Sequence, residues 1–258
     1  MINIKYSMRK FTVILIILLA AGFIHIYAEQ PEKKVNMEFG LLSRYIWRGY
    51  CLGGAGIQTS VCGELFENSF HSLEVEAWGY TDFIASTKEI DLSFSYFFMN
   101  KKAAIRLYDY WYVPDDGSNY LDFKNNTTSH SLEIQFDYVF NLKKDNSLMF
   151  KWATFFYGND KKITSKNKVK QAYSSYFEIK YEGGFFVPKY RFEASAGFSP
   201  WESPMNYNVE KFSCISTELK LIRSFYINDD VELTPSVAFT LNPANRDAYL
   251  LFGVTASF

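Results

Sequence analysis

The sequence predicts an all-β fold, a twelve-stranded antiparallel up-and-down transmembrane β-barrel. Three observations predict it. Apolar and polar residues alternate with a period of two along most of the chain, as in strands with two unlike faces. The connections between these segments alternate between short and long in a fixed phase. Aromatic residues, 25 Phe, 19 Tyr and 5 Trp among 258 residues, gather near both ends of the segments.

The N-terminus comes first. Lys5, Arg9 and Lys10 form a basic stretch, 11–24 is an apolar run, and Ile26-Tyr27-Ala28 is a small-residue cleavage site. This is the pattern of a Sec signal peptide. Residues 1–28 are therefore expected to be removed, leaving 29–258 as one barrel with 24 basic and 28 acidic residues. The first cysteine is Cys51, so no lipoprotein anchor is expected at the cleavage point. A slightly acidic balance excludes the basic footprint of a nucleic-acid binder. Outside 11–24 no apolar run approaches the roughly 18 residues of a spanning helix.

The strands follow in order. From Val35, the odd positions Val35, Met37, Phe39, Leu41, Tyr45 and Trp47 form an apolar face, and Glu38, Arg44 and Arg48 stand on the other. Ile57, Thr59, Val61 and Leu65 oppose Gln58, Ser60, Cys62 and Glu64. The pattern recurs in Ile90, Leu92, Phe94, Tyr96 and Phe98 against Glu89, Asp91, Ser93 and Ser95, and in Leu132, Ile134, Phe136 and Tyr138 against Glu133, Gln135 and Asp137. It closes with Leu250, Phe252, Val254, Ala256 and the terminal Phe258. Twelve segments result: 35–50, 56–66, 71–83, 89–99, 103–113, 129–141, 148–157, 172–181, 186–198, 212–226, 231–241 and 248–258. Most run about 10–13 residues, which suits tilted membrane strands better than the usual 5–6 of a soluble sheet.

Counted from the first hairpin, the even connections (67–70, 100–102, 142–147, 182–185 and 227–230) are short. The odd ones include the three longest, 114–128, 158–171 and 199–211. Bacterial outer-membrane barrels have short periplasmic turns and longer extracellular loops, so both termini are expected in the periplasm. Phe66, Tyr96, Phe98, Tyr138, Phe140, Tyr181, Phe225, Tyr226 and Phe258 lie near the short-turn ends. Tyr45, Trp47, Trp78, Tyr80, Trp111, Tyr112, Phe156, Tyr157, Phe198 and Trp201 lie near the long-loop ends. Two interfacial girdles are the expectation.

The segment Ser43-Arg44-Tyr45-Ile46-Trp47-Arg48-Gly49, followed by Glu89-Ile90-Asp91-Leu92, resembles the signature of the TorF-type porins. Thr128-Ser129-His130-Ser131-Leu132-Glu133, Phe156-Tyr157-Gly158-Asn159-Asp160 and Phe198-Ser199-Pro200-Trp201-Glu202-Ser203-Pro204 are similar to related outer-membrane barrels of unknown function. The resemblance implies a barrel in the bacterial outer membrane, with no defined substrate.

A charge facing lipid at the midplane would cost about 2–4 kcal/mol for Arg or Lys, so the charged face must point inward. This puts Glu38, Arg44, Arg48, Glu64, Glu74, Glu76, Asp91, Arg106, Glu133, Lys151, Lys189, Arg191, Glu218 and Lys220 on the lumen, with Asp82, Glu89, Asp137, Glu178, Lys180, Glu193 and Glu232 beside them. Mixed acidic and basic rows select polar or charged solutes. The same rows, paired with one another, would close the lumen. For Arg44 and Arg48, four residues apart on one face, the candidate partners are Glu64, Glu232 and Glu218.

Passive passage of small polar solutes is thus the leading expectation. A non-conducting structural or ligand-binding surface barrel is the second, and a membrane-embedded hydrolase the third. Membrane lipid, the barrel-assembly machinery and small polar solutes are the expected partners, and Phe258 the assembly signal. No catalytic set, metal or cofactor is assigned. Ser129 and Ser131 flank His130, but residues at i±1 in a strand point to the opposite face, so neither addresses its ring. Asp115, Asp116 and Asp122 in the third loop could bind Ca²⁺, but acidic loops are common and no metal is assigned to them. Cys51 and Cys62 bracket the first hairpin loop, where a disulfide would need a bend to reconcile their opposed phases, and Cys214 is expected free in the upper lumen.

Overall fold

The computed structural model describes residues 35–113, 119–142, 145–184 and 190–258. The expected signal segment 1–28, the acids Asp115 and Asp116, and Lys189 lie outside the described residues. The strands are β1 Val35–Leu42, β2 Gly56–Glu67, β3 Ser72–Asp82, β4 Lys88–Phe98, β5 Ala103–Tyr112, β6 His130–Asn141, β7 Ser147–Gly158, β8 Ser175–Gly184, β9 Tyr190–Ser199, β10 Ser213–Arg223, β11 Glu232–Asn242 and β12 Asp247–Ser257. All pair antiparallel with their sequence neighbours, and β1 closes on β12 from Glu38↔Ser257 to Leu42↔Gly253. Closure removes the unpaired edges that an open sheet would leave in lipid. An 11-residue strand at about 3.4 Å per residue, tilted by about 40°, spans about 28 Å, enough for a hydrocarbon band of about 25 Å.

The faces follow from burial. Val35, Met37, Phe39 and Leu41 are exposed on β1, as are Ile90 and Leu92 on β4, Ile134 and Phe136 on β6, and Leu250 and Phe252 on β12. A soluble protein does not leave so large an apolar belt uncovered; lipid covers it. At the short-turn rim, Phe66, Tyr96, Phe140, Phe225, Tyr226 and Phe258 are exposed on the outside, as a girdle requires. Pro235, which has no N–H to donate, sits where the β10–β11 ladder lapses between Ile222↔Ser236 and Phe225↔Leu233. A strand proline is tolerated where pairing is interrupted.

Three expectations are corrected. The first strand ends at Leu42 rather than running to 50. Tyr45–Trp47 then pairs with Tyr50–Gly53 in a small separate hairpin, so the connection 43–55 joins the long ones. Second, Trp47 and Trp78 border an internal cavity, and Tyr45 and Tyr80 are buried against each other with ring centroids 4.6 Å apart. These four, with Tyr112, which borders a second cavity opposite the inward-facing Glu89, belong to the barrel interior rather than an upper girdle. Third, a register shift in β10 skips Ile215, burying it completely in the interior and setting Cys214 level with Phe198. Cys214 therefore leaves the lumen phase assigned to it. Cys51, Cys62 and Cys214 are all free thiols.

Candidate functional site

The site is the hairpin inside the barrel and what holds it there. Arg48 and Gly49 form its two-residue turn, with φ of 48° and 84°. Such turns need positive φ at both central positions. At Gly49 a Cβ would run into the Ile215 carbonyl oxygen, so the turn can lie directly on the β10 backbone only because glycine is there. Arg48 adopts the same left-handed region at a cost of about 1–3 kcal/mol, and its side chain shows what offsets it.

The Arg48 guanidinium donates from Nη1 and Nη2 to the two carboxylate oxygens of Glu133, at 2.6 and 2.7 Å. It also donates to the Tyr207 hydroxyl at 2.5 Å. The Trp47 and Tyr176 rings each lie 4.5 Å from its central carbon. A planar fork with five donors is matched by the bidentate carboxylate and by the two ring faces; lysine could not reproduce it. Glu133, on β6, has no exposed surface.

Tyr207 comes from the loop between β9 and β10. It is fully buried, and its carbonyl accepts from the Tyr50 hydroxyl. Tyr110, Phe155, Tyr176, Val209 and Ile215 complete an apolar cluster against which Trp47 packs. Burying a ring of about 150–250 Å² at about 25 cal/mol/Å² contributes about 4–6 kcal/mol. The hydrophobic core of this barrel therefore lies in its lumen, between the wall and two infolded connections.

The infolding divides the lumen. Toward the long loops is a cavity of about 230 Å³ bordered by Glu89, Tyr112, Ser131, Asn159 and Asn206. On the other side is one of about 390 Å³ bordered by Arg48, Asp91, Gln135, Lys151, Glu178 and Glu218. Trp47 and Tyr110 border both, so these two rings form the septum between them.

The remaining sequence-selected charges lie as follows. Arg44 is exposed at the break after β1, 5.7 Å from the Tyr249 ring centre, away from the interior hydrogen-bond system of Arg48. The expected partners of Arg48 are replaced by Glu133, because the turn carries it off the β1 wall to the far side. Glu38 accepts from the Ser257 hydroxyl at 3.3 Å. Glu64 faces Glu74 across β2 and β3, and Glu76 faces Cys62. Arg106 donates to Asp137 at 2.9 Å and Ser95 at 3.1 Å. Lys151 lies 3.7 Å from Glu178, and Arg191 pairs with Glu182 and Glu193 at 3.2 and 3.4 Å. Lys220 stands opposite Glu193, and Glu218 accepts from Thr240 at 2.7 Å.

Two buried polar groups escaped sequence reasoning as structural keys. Asp160, with no exposed surface, accepts from the Ser174 amide and hydroxyl, from Gln171 and from Asn206. It ties the loop after β7 to the loop that delivers Tyr207. His130 is also fully buried, its Nδ1 2.7 Å from Asp109 and its Nε2 2.7 Å from the Tyr120 carbonyl. Phe123 stacks on its ring at 4.2 Å, so His130 pins the loop before β6. Asp122 accepts from the Thr127 hydroxyl, which holds its carboxyl below the ordinary aspartate range. Among the described residues no group of three or more His, Cys, Asp or Glu is placed to hold a metal ion.

No known family model matches the chain, and no curated protein does. Solved structures do. The NanC porin in a rhombohedral crystal form is 7% identical over 87% of this chain and 98% of its own, with a TM-score of 0.48. An outer membrane channel from Pseudomonas putida F1 is 10% identical over 90% of this chain and 97% of its own, TM-score 0.48. A structure reported with the mechanism of in-meso crystallization of membrane proteins is 10% identical over 87% and 83%, TM-score 0.50. At these identities the likeness is one of fold.

Proposed function

We propose that the chain is a narrow porin of the bacterial outer membrane, passing small polar solutes through a lumen whose width is set by the hairpin 45–53. The observation that carries this reading is a pair of lumen cavities, one lined by several charged side chains and one mainly by aromatic and uncharged polar ones, with Trp47 and Tyr110 bordering both. A barrel built only as a scaffold has no need to keep open space on both sides of a partition, or to line one side with Arg48, Asp91, Lys151, Glu178 and Glu218. The resemblance of 43–49 to the TorF-type porins supports the same reading, and the motif has a physical role in it, since Tyr45, Trp47, Arg48 and Gly49 are the residues that build the partition. The charges on the barrel wall, from Glu64, Glu74 and Glu76 to Lys151, Arg191 and Lys220, would then act on solutes at close range.

The test is conductance. Purified, heat-modifiable protein in planar bilayers is expected to give small unitary steps. Folded protein that gives none over repeated insertions would overturn the porin reading and leave the non-conducting surface barrel in its place.

Phe258 is proposed as the strand-edge signal read by the barrel-assembly machinery. Its backbone exchanges two hydrogen bonds with Met37 at 2.9 and 3.3 Å, beyond the last paired residues of β12. Deleting Phe258 should leave export intact and reduce the fast-migrating folded form on unboiled gels. Undiminished folding of the deletion would show that the signal lies elsewhere.

A further inference from the structure

We propose that Glu89 and Asp91 form a binding site for one small monovalent cation, an alkali ion or a primary ammonium group, beside the septum. The proposal rests on the channel reading for its physiological meaning, but the site has its own evidence.

The two acids are two residues apart on β4 and so share its inward face. Glu89 borders the cavity toward the long loops and Asp91 the cavity on the other side. They thus flank the septum along the wall, where Trp47 and Tyr110 divide the lumen. Glu89 is only 3% exposed, with the Tyr45 and Tyr112 hydroxyls and the Asp91 carboxyl beside it, yet its Oε2 makes no close hydrogen bond, and neither does Oδ1 of Asp91. The other buried acids of the lumen are treated differently. Arg48 is committed to Glu133 and Arg106 to Asp137. Neither Glu89 nor Asp91 stands opposite a Lys or Arg on the neighbouring strands.

A carboxylate out of water with no counter-charge is costly, and a nearby like charge makes it more so. A cation seated between them would remove both costs. The surroundings suit one. Across the strands, Glu89 faces Tyr80 and Tyr112, and Asp91 faces Trp78 and Tyr110. Tyr45 lies 5.5 Å from the Trp78 ring. The Tyr45 and Tyr112 hydroxyls beside Glu89 add neutral oxygen ligands, and the carboxylates set the charge. Among the described residues no third carboxylate, His or Cys joins the pair, so the donor set of a protein-held Ca²⁺ or Zn²⁺ is absent. The wall below continues the theme with Glu38, Glu64, Glu74 and Glu76. Among the described residues, no inward position of β1–β4 carries Lys or Arg. Such a one-signed stripe concentrates cations along it.

Two measurements on the full chain test the site. In bilayers under a KCl or an ethylammonium chloride gradient, wild type should prefer the cation. Glu89→Gln and Asp91→Asn should each lower the cation-to-chloride permeability ratio, the double variant by about tenfold. Unchanged selectivity in folded variants overturns the proposal. Independently of conduction, titrating detergent-solubilised protein with KCl or ethylammonium chloride at constant ionic strength should give a saturable change in tryptophan fluorescence, since Trp78 adjoins Asp91. That change should be lost in both variants. A response in one salt alone identifies which cation source fits. No saturable response in wild type, or one that survives both substitutions, overturns the site even if the channel conducts. A saturable response without any conductance upholds the site while the porin reading falls.

Discussion

Replacing Arg48 with Asn should loosen the septum and weaken the barrel at once. Asparagine tolerates the left-handed backbone at position 48, so the turn itself is preserved and the loss isolates the guanidinium. Glu133 would then be a carboxylate with no exposed surface and no counter-charge. Breaking a buried pair from one side costs about 3–5 kcal/mol. If the hairpin can leave the lumen, that cost shifts its inward-to-outward ratio by at least about a hundredfold. The expected result is a larger and noisier unitary conductance, together with a lower thermal midpoint. Adding Glu133→Gln removes the stranded charge. The double variant should regain much of the midpoint while keeping the larger conductance, because the hairpin still lacks its anchor. Recovery of both together would mean that Arg48 holds the wall and not the passage.

The strands were legible because lipid and lumen impose opposite chemistries on alternate residues, and that contrast is written into β4, β6 and β12 at period two. Loop phase was legible for the same reason, since short turns and long loops face different compartments. The septum was hidden. From Val35 to Trp47 the alternation runs on past Leu42, where the wall strand stops, so nothing in the periodicity marks the departure. The hairpin turn lacks its usual Asn-Gly or Asp-Gly signal; Arg48-Gly49 takes that conformation because the guanidinium is held by groups far away in sequence. Glu133 lies 85 positions on and Tyr207 159, and no local rule joins them. The aromatic count by itself predicts two girdles. Part of it is a lumen core, and period-two reasoning cannot separate these once a chain has left the wall. The skipped Ile215 in β10 shifted Cys214 in the same way, since one unpaired residue reverses the face of what precedes it.

Asp160 supplies the second large effect, although it lies outside the partition. Its carboxylate collects four donors from Ser174, Gln171 and Asn206 at 2.6–3.1 Å. Ser174 in turn accepts from Ser203 at 2.7 Å, and the Ser203 hydroxyl accepts from the Tyr207 amide at 3.2 Å. A continuous set of hydrogen bonds thus runs from the loop after β7 to the residue that touches Arg48. Hydrogen bonds to a charged group are worth about 1.5–3 kcal/mol each and are not additive, so Asp160→Ala should release the 200–212 loop by about 3 kcal/mol. Cleavage by trypsin after Lys211, which is exposed beside Phe212, should rise by about a hundredfold if it follows the open population. Asp160→Asn should fall between wild type and alanine, because one carboxamide NH₂ would face donors and not acceptors. Through Tyr207 the same change should raise the conductance in the direction of Arg48→Asn. The two substitutions combined should do less than the sum of their separate effects, as expected for residues acting through one network. Strict additivity would show that the loop and the hairpin are held independently, and that the hydrogen bonds between them carry no coupling.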